Sequence, residues 1–190
     1  VLFGAFFIYT SNYYHADTQA ISPIENSSGY ATSGNLTVLQ PQIPNGTGLI
    51  FYPGGKVEHT AYLPLLDQLR QEGVTCILVT MPFNLAVFNA KAADKVYSQF
   101  PEIEHWYIGG HSLGGALAGY ESILTGRKAY TFDGAEGHII DLAYMFNAFD
   151  ISSFEGIDKS NITNYTDEPT GLISIADVIQ HTSIESYHLV

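Results

Sequence analysis

Short apolar runs alternate with helical patterns along most of this 190-residue chain, and this alternation restricts its fold more than any other feature. Three continuous apolar runs, each typical of a buried strand, cover residues 48–52, 74–80 and 105–109. Each run is followed by a helical pattern, at residues 60–72, 89–100 and 113–124. Because parallel neighbours need a crossover between them, the pattern predicts an α/β protein with a mostly parallel sheet in a three-layer sandwich.

Weaker patterns extend this arrangement to both sides. Further strands are predicted at residues 36–39, 128–132, 161–165 and 172–178, and a helix at residues 139–146. The length suits a single hydrophobic core. We therefore expect one domain over residues 21–190, preceded by a separate N-terminal segment over residues 1–20.

Charge and cysteine content exclude several classes of protein. The 7 basic residues against 19 acidic ones give a formal net charge of -12, so the surface repels phosphate backbones and anionic headgroups, and we expect no nucleic-acid partner. The single cysteine, Cys76, cannot form an internal disulfide or a thiolate metal cluster, and its apolar run favours a packed core thiol.

The first ten residues are almost entirely apolar, with the sequence VLFGAFFIYT. A bilayer core takes about 20 residues to cross, so this stretch alone cannot span it. It is typical of the remnant of a signal sequence or membrane anchor whose upstream part lies before residue 1, and a buried strand is the alternative. Five N-x-[ST] sequons are compatible with export, so we expect an extracytoplasmic protein, membrane-tethered or secreted.

The strongest chemical motif is G-x-S-x-G, which stands between the run at residues 105–109 and the helical pattern that follows it. Its sequence is Gly110-His111-Ser112-Leu113-Gly114. A serine on such a tight strand-to-helix turn is held in a strained conformation, and a Cβ at either flanking glycine would collide with its neighbours. This context predicts a nucleophile elbow that presents the Ser112 hydroxyl at the start of a helix.

Acyl transfer from such a serine also needs backbone N–H groups that stabilise the oxyanion. One comes from the residue after the nucleophile, Leu113, and the other from a loop after an earlier strand. The turn Pro53-Gly54-Gly55-Lys56 follows the run at residues 48–52, so Gly55 or Lys56 is expected to supply the second donor. A phosphate-binding role has no supporting glycine motif.

The serine needs a histidine base and a carboxylate that orients it, in the chain order serine, acid, histidine. His181 follows the last predicted strand and is preferred as base over His188. Asp167 follows the strand at residues 161–165 and is the preferred acid, with Asp133 as the main alternative. The other downstream candidates are Glu168, Asp177 and Asp158 for the acid and His138 for the base.

Several segments of the first two thirds resemble bacterial membrane-tethered α/β-hydrolases that are related to dienelactone hydrolases. The resemblance covers residues 3–120 and rests on the segments YYHAD (13–17), FYPGGKVE (51–58), MPFNLAVF (81–88) and HWYIGGHSLGG (105–115). It implies an α/β-hydrolase fold and a membrane anchor directly before the YYHAD segment. It also implies that Ser112 is the nucleophile and that Gly54, Gly55 and Lys56 form the oxyanion turn.

The last third, residues 126–190, looks more like class three lipase-like hydrolases. The similar segments are AYTFDG (129–134), NYTDE (164–168) and HTSIESY (181–187). This resemblance implies that His181 is the base. The acid of those proteins would fall near Thr170, which is not an acidic residue, so Asp167 and Asp133 both remain open.

Together these observations predict a serine hydrolase that cleaves an ester or related acyl bond of a small-molecule substrate through an acyl-enzyme. Ser112 would attack, His181 would transfer the proton and Asp167 would orient it, while Leu113 and Gly55 or Lys56 would bind the oxyanion. No metal or organic cofactor is expected. The alternatives are a catalytically inactive hydrolase fold that serves as a binding module at the cell surface, and an acyltransferase that uses the same residues.

Overall fold

A seven-stranded sheet forms the framework of the protein in a computed structural model that describes residues 12–81, 92–134 and 159–166. In chain order the strands are β1 (Tyr30–Ser33), β2 (Leu36–Leu39), β3 (Thr47–Tyr52), β4 (Thr75–Val79), β5 (His105–His111), β6 (Ala129–Phe132) and β7 (Ile162–Tyr165). Their order across the sheet is β1-β2-β4-β3-β5-β6-β7. β2 is antiparallel to both of its neighbours, and all other neighbouring strands are parallel. The prediction of a mostly parallel sheet is confirmed.

Helices cover both faces of this sheet. They are α1 (Thr18–Glu25), α2 (Leu63–Gln71), α3 (Ala92–Gln99) and α4 (Leu113–Thr125), and a 3₁₀ helix (His59–Tyr62) leads into α2. The α-helix begins only at Leu63 because Pro64, which has no backbone N–H, fits the first helical turn and not the helix interior. The predicted helix at residues 60–72 is thus a 3₁₀ turn followed by an α-helix.

Alternate residues of the central strands divide the core into two apolar clusters. Ile50 and Tyr52 of β3 pack in the cluster that contains Val96 of α3 and Leu117 of α4. Phe51, between them in sequence, packs in the other cluster, whose helical members are Ile21, Ile24, Leu63, Leu66 and Leu69 of α1 and α2. Since side chains alternate between the faces of a strand, the two clusters are the two sides of a three-layer sandwich, as predicted.

Two elements of the structure are missing from the sequence predictions. Helix α1 carries Pro23 in its interior and buries only Ile21 and Ile24, so its apolar pattern is weak, although Asp17 caps it by accepting the Gln19 N–H at 2.9 Å. Strand β1 is largely exposed and has no apolar alternation. Both form because they pack or pair with the rest of the sheet.

Other predictions fall on residues outside the described ranges. These are the apolar stretch at residues 1–10, the helix at residues 139–146 and the strand at residues 172–178. Helix α1 extends across residue 20, where the N-terminal segment is predicted to end. Among the described residues, no helix has the length and apolar character needed to span a membrane.

The sheet order places the loop after β3 next to the connection that follows β5. β3 lies between β4 and β5, so the connection from β3 to β4 and the connection from β4 to β5 run in opposite directions across the sheet. Tyr52, the last residue of β3, pairs with Gly110 near the end of β5. In parallel sheets, the crevice at the carboxyl ends of two such strands is where ligands bind.

Candidate active site

The elbow, defined here as residues 110–114, connects β5 directly to α4. Ser112 has φ 51° and ψ -119°, which places a non-glycine residue at positive φ. Its N–H donates to the Phe132 carbonyl at 2.9 Å, and its carbonyl accepts the Ala116 N–H at 3.1 Å. Hydrogen bonds to the neighbouring strand and to the helix thus maintain the strained backbone on which the Ser112 side chain is presented.

The two glycines of the elbow are required by close packing. A Cβ on Gly110 would collide with the carbonyl of Gly114, the second residue of α4. A Cβ on Gly114 would collide with the backbone carbonyls of Tyr52 and Pro53, which end β3 and begin the following turn. The steric reason that the sequence suggests for both glycines is therefore the one found in the structure.

The N-terminus of α4 begins at Leu113, immediately after Ser112. The first backbone N–H groups of a helix have no carbonyl partner within the helix, and the helix dipole favours negative charge there. The Leu113 N–H therefore belongs to the first turn of α4, and its role as an oxyanion donor stays a prediction. The close contact of Gly114 with Tyr52 and Pro53 brings this helix start against the loop after β3.

That loop, called the β3 turn here, comprises residues 53–58. Gly55 and Lys56 lie in it, and Lys56 has φ 59°, another non-glycine residue at positive φ. The Lys56 carbonyl accepts the Tyr14 N–H at 2.9 Å, and the Tyr14 carbonyl accepts the Glu58 N–H at 2.8 Å. The predicted second donor, Gly55 or Lys56, is thus in a turn that a distant N-terminal segment holds by its backbone.

The carboxylate of Glu58 strengthens this attachment. One of its oxygens accepts the Ala16 N–H at 2.9 Å, and the other accepts the Thr60 hydroxyl at 3.1 Å. His15 lies 3.4 Å from the same carboxylate. The Ala16 hydrogen bond, more than any other contact, holds the pKa of Glu58 below its usual range. Hydrogen bonds thus join the YYHAD and GGKVE segments, although Ala16 and Glu58 stand 42 residues apart in the sequence.

A tyrosine and a histidine connect the β3 turn to the elbow. The Tyr62 hydroxyl oxygen accepts the Gly54 N–H at 3.0 Å and lies 2.9 Å from Nδ1 of His111, the residue before Ser112. Burial raises the pKa of Tyr62 and lowers the pKa of His111, although the nearby Asp133 acts in the opposite direction on His111. Both shifts favour the neutral form of the side chain.

Asp133 lies at the same edge of the sheet, one residue beyond β6. It has φ 46°, and its N–H donates to the Tyr165 carbonyl at 2.7 Å. The negative charge of Asp133 acts to raise the pKa of His111, the residue before Ser112. β7 ends at Tyr165, two residues before Asp167, so both acid candidates follow strands that end at this edge.

The remaining predicted site residues lie outside the described ranges. These are Asp167, His181 and His188, together with the further candidates His138, Asp158, Glu168 and Asp177. Their roles stay predictions. Within residues 12–81, 92–134 and 159–166, no group of histidine, cysteine or acidic side chains is arranged to bind a metal ion.

Sequence reasoning missed the Tyr62 and His111 pair. His111 is visible inside the motif, but nothing in the sequence indicates a partner for it. Tyr62 is one of 13 tyrosines and stands 49 residues before His111. Glu58 lies within the FYPGGKVE segment, which gives a weak signal that it matters but not what it contacts.

The central part of the chain matches one known protein family. Residues 48–128, which run from β3 to the residue before β6, match the pattern of the family described as "Alpha/beta hydrolase family". The matched residues are fewer than half of the chain. A search of curated proteins found no significant match.

The solved structures that match this chain are distant from it in sequence. A hormone-sensitive lipase from a metagenome library is 16% identical with a TM-score of 0.46, and the match covers 65% of this chain and 50% of that one. The mature Bacillus licheniformis lipase BlEst2 is 15% identical with a TM-score of 0.46, covering 60% and 53%. TT1662 from Thermus thermophilus is 16% identical with a TM-score of 0.44, covering 52% of each chain. The matched region thus spans about half the length of these proteins.

The identification of the fold rests on four observations. The sheet is mostly parallel with an antiparallel β2, helices cover both of its faces, and the strand order changes direction at β3. A strained serine between β5 and α4 stands within the segment that matches the hydrolase family. The protein therefore has the α/β-hydrolase fold.

Proposed function

We propose that the protein is a serine hydrolase that cleaves an ester or related acyl bond of a small-molecule substrate through an acyl-enzyme. The observation that carries this proposal is the backbone of Ser112, at φ 51° and ψ -119° between β5 and α4. A strained backbone on a serine at a loop crevice is a cost that a purely structural turn does not require. The strain serves to present the hydroxyl at the N-terminus of a helix.

In the proposed reaction, the Ser112 oxygen forms a bond to the acyl carbon while its proton passes to a histidine. The negative charge that develops on the carbonyl oxygen is stabilised by the Leu113 N–H and by an N–H of Gly55 or Lys56. Collapse of this intermediate releases the alcohol, which takes the proton from the histidine. Water then repeats the two steps, releases the carboxylic acid and restores Ser112.

His181 is proposed as the histidine and Asp167 as the carboxylate that orients it. β7 ends at Tyr165, at the same edge of the sheet as the elbow. Asp167 follows Tyr165 by two residues in the sequence, and this short separation supports Asp167 as the acid. Asp133 has support of its own, since its charge acts on His111 beside the nucleophile. The choice between these two acids is therefore the first to be tested after the nucleophile itself.

Two features support an acyl substrate. The family match covers both the β3 turn and the elbow, which together would form the oxyanion site. The resemblance of residues 3–120 to dienelactone-hydrolase-related proteins and of residues 126–190 to class three lipase-like proteins also agrees with carboxylic ester chemistry. An enzyme of this kind would act on acyl groups that reach an open crevice at the sheet edge.

Labelling with a fluorophosphonate probe tests the nucleophile. We expect the wild-type chain to be labelled at Ser112, and Ser112→Ala to remain folded but unlabelled, with p-nitrophenyl acetate turnover reduced by about a million-fold. Ser122→Ala is a matched control, because Ser122 lies within the same helix, away from the elbow. If a folded wild-type sample is not labelled, the proposal is wrong and an inactive binding module is favoured.

Amide and alanine substitutions test the acid and the base. Replacing the orienting carboxylate by its amide reduces turnover by about ten-thousand-fold, because the histidine then favours the wrong tautomer. We expect this loss in Asp167→Asn and at least as large a loss in His181→Ala. Asp133→Asn and His188→Ala should retain nearly normal turnover. The reverse pattern would assign the acid to Asp133 and the base to His188.

A further inference from the structure

Tyr62 lies at the junction between the β3 turn and the elbow. It ends the 3₁₀ helix, ten residues after β3, and its hydroxyl reaches both Gly54 in the turn and His111 beside the nucleophile. The ring itself is fixed by a contact with Phe51 of β3, with ring centres 5.1 Å apart. One side chain therefore contacts both loops that would form the oxyanion site.

Gly54 packs closely against this pair. A Cβ on Gly54 would lie 2.7 Å from Nδ1 of His111 and 2.9 Å from the Tyr62 oxygen, closer than carbon atoms approach such groups. The backbone of the β3 turn thus lies directly on the two side chains. Any side chain at position 54 would displace the two side chains or the turn itself.

The hydrogen bonds of the pair use each proton once. The Tyr62 oxygen accepts the Gly54 N–H, so its own proton is available for Nδ1 of His111, which accepts when the imidazole is neutral with hydrogen on Nε2. Burial lowers the pKa of His111 and raises the pKa of Tyr62, and both shifts favour the neutral groups that these hydrogen bonds require. Among the described residues, Asp133 is the charged group that acts against this by raising the pKa of His111.

We infer that Tyr62 and His111 are positioning residues that hold the β3 turn at a fixed distance from the elbow. The Gly54 N–H is used by Tyr62, so the turn must present the next N–H groups, those of Gly55 or Lys56, to the oxyanion. The pair sets where these groups lie relative to the Leu113 N–H. The catalytic part of this inference rests on the proposed function, whereas the attachment of the turn does not.

Four variants test the pair. Tyr62→Phe removes the hydroxyl and keeps the ring, and His111→Ala removes the acceptor. His111→Asn keeps an acceptor oxygen near the position of Nδ1, so it should rescue the contact. Tyr107→Phe is the matched control, since it removes a phenol hydroxyl from the half-buried Tyr107 earlier in β5.

The first measurement is hydrogen exchange of the Gly54 amide, which needs no activity. We expect faster exchange in Tyr62→Phe and His111→Ala, and wild-type exchange in His111→Asn and Tyr107→Phe. Unchanged Gly54 exchange in Tyr62→Phe would overturn the inference. If the exchange pattern is as expected but wild type is not labelled by fluorophosphonate, the proposed function fails and the attachment of the turn stands.

The second measurement is turnover of p-nitrophenyl acetate per labelled active site. A misplaced oxyanion donor affects the transition state more than substrate binding, so Tyr62→Phe should lower kcat by about 10- to 100-fold with little change in KM. The double variant Tyr62→Phe/His111→Ala should have a kcat little lower than that of Tyr62→Phe, because both changes break the same contact between Tyr62 and His111. A pair with only a structural role would reduce the labelled fraction and leave kcat per labelled site unchanged, which would overturn the catalytic part.

Discussion

The elbow and the β3 turn lie side by side at the ends of adjacent strands, yet they are maintained by different kinds of contact. The elbow depends on its own glycines and on backbone hydrogen bonds to Phe132 and Ala116. The β3 turn depends on side chains and backbone from separate parts of the chain, at Tyr14, Ala16 and His111. The residue pattern of the elbow is therefore visible in a short stretch of sequence, whereas the β3 turn is held by side chains that no short stretch contains.

The largest expected effect concerns the steric requirement of the elbow. In Gly114→Ala the new Cβ would collide with the carbonyls of Tyr52 and Pro53, which cannot move without displacing β3. We expect the free energy of unfolding to fall by at least about 3 kcal/mol, measured by chemical denaturation. Gly126→Ala is the control, because Gly126 has φ 69° and open space around it, so only the backbone cost of about 1–2 kcal/mol applies. Equal losses would mean that the elbow is not closely packed.

Backbone strain at Ser112 gives a smaller effect of unusual sign. Glycine tolerates φ 51° and alanine does not, so Ser112→Gly should be more stable to unfolding than Ser112→Ala by about 1 kcal/mol. At the exposed helical position Ala20, the same exchange of alanine for glycine should lower stability by about 1 kcal/mol. The elbow is unstrained if glycine is the less stable residue at both positions.

The smallest effect concerns the attachment of the β3 turn through Glu58. The Ala16 N–H lowers the pKa of this carboxyl in the folded state, so its contribution to stability is present above the unfolded pKa and is lost as the pH falls through the folded pKa. Between pH 6 and pH 3, wild type should therefore lose more stability than Glu58→Gln, by less than about 1 kcal/mol at this partly exposed site.

Denaturation curves at both pH values give this difference, and Glu72→Gln controls for the loss of one negative charge at an exposed position. If wild type and Glu58→Gln lose the same stability on acidification, the Glu58 carboxylate does not hold the N-terminal segment to the turn. The elbow should be unaffected in either case, because none of its hydrogen bonds involves this carboxylate.

The central sheet and the elbow could be predicted from the amino-acid sequence. The apolar runs predict β3, β4 and β5 because burial on both faces requires continuous apolar strands, and the three-layer arrangement follows from the helices between them. The elbow is readable because its residue pattern is local: Gly110, Ser112 and Gly114 are close in sequence, although Gly114 is required by a contact with Tyr52 and Pro53 at the end of β3.

The contacts that hold the β3 turn could not be predicted from the sequence and are visible in the tertiary structure alone. Tyr62 and His111 are 49 residues apart, and Ala16 and Glu58 are 42 apart, so no local pattern indicates either contact. These contacts exist because β3 and β5 are neighbours in the sheet and because the N-terminal segment folds back onto the turn. Hydrogen bonds between distant residues depend on where the strands lie in space, and spacing along the chain carries no record of that.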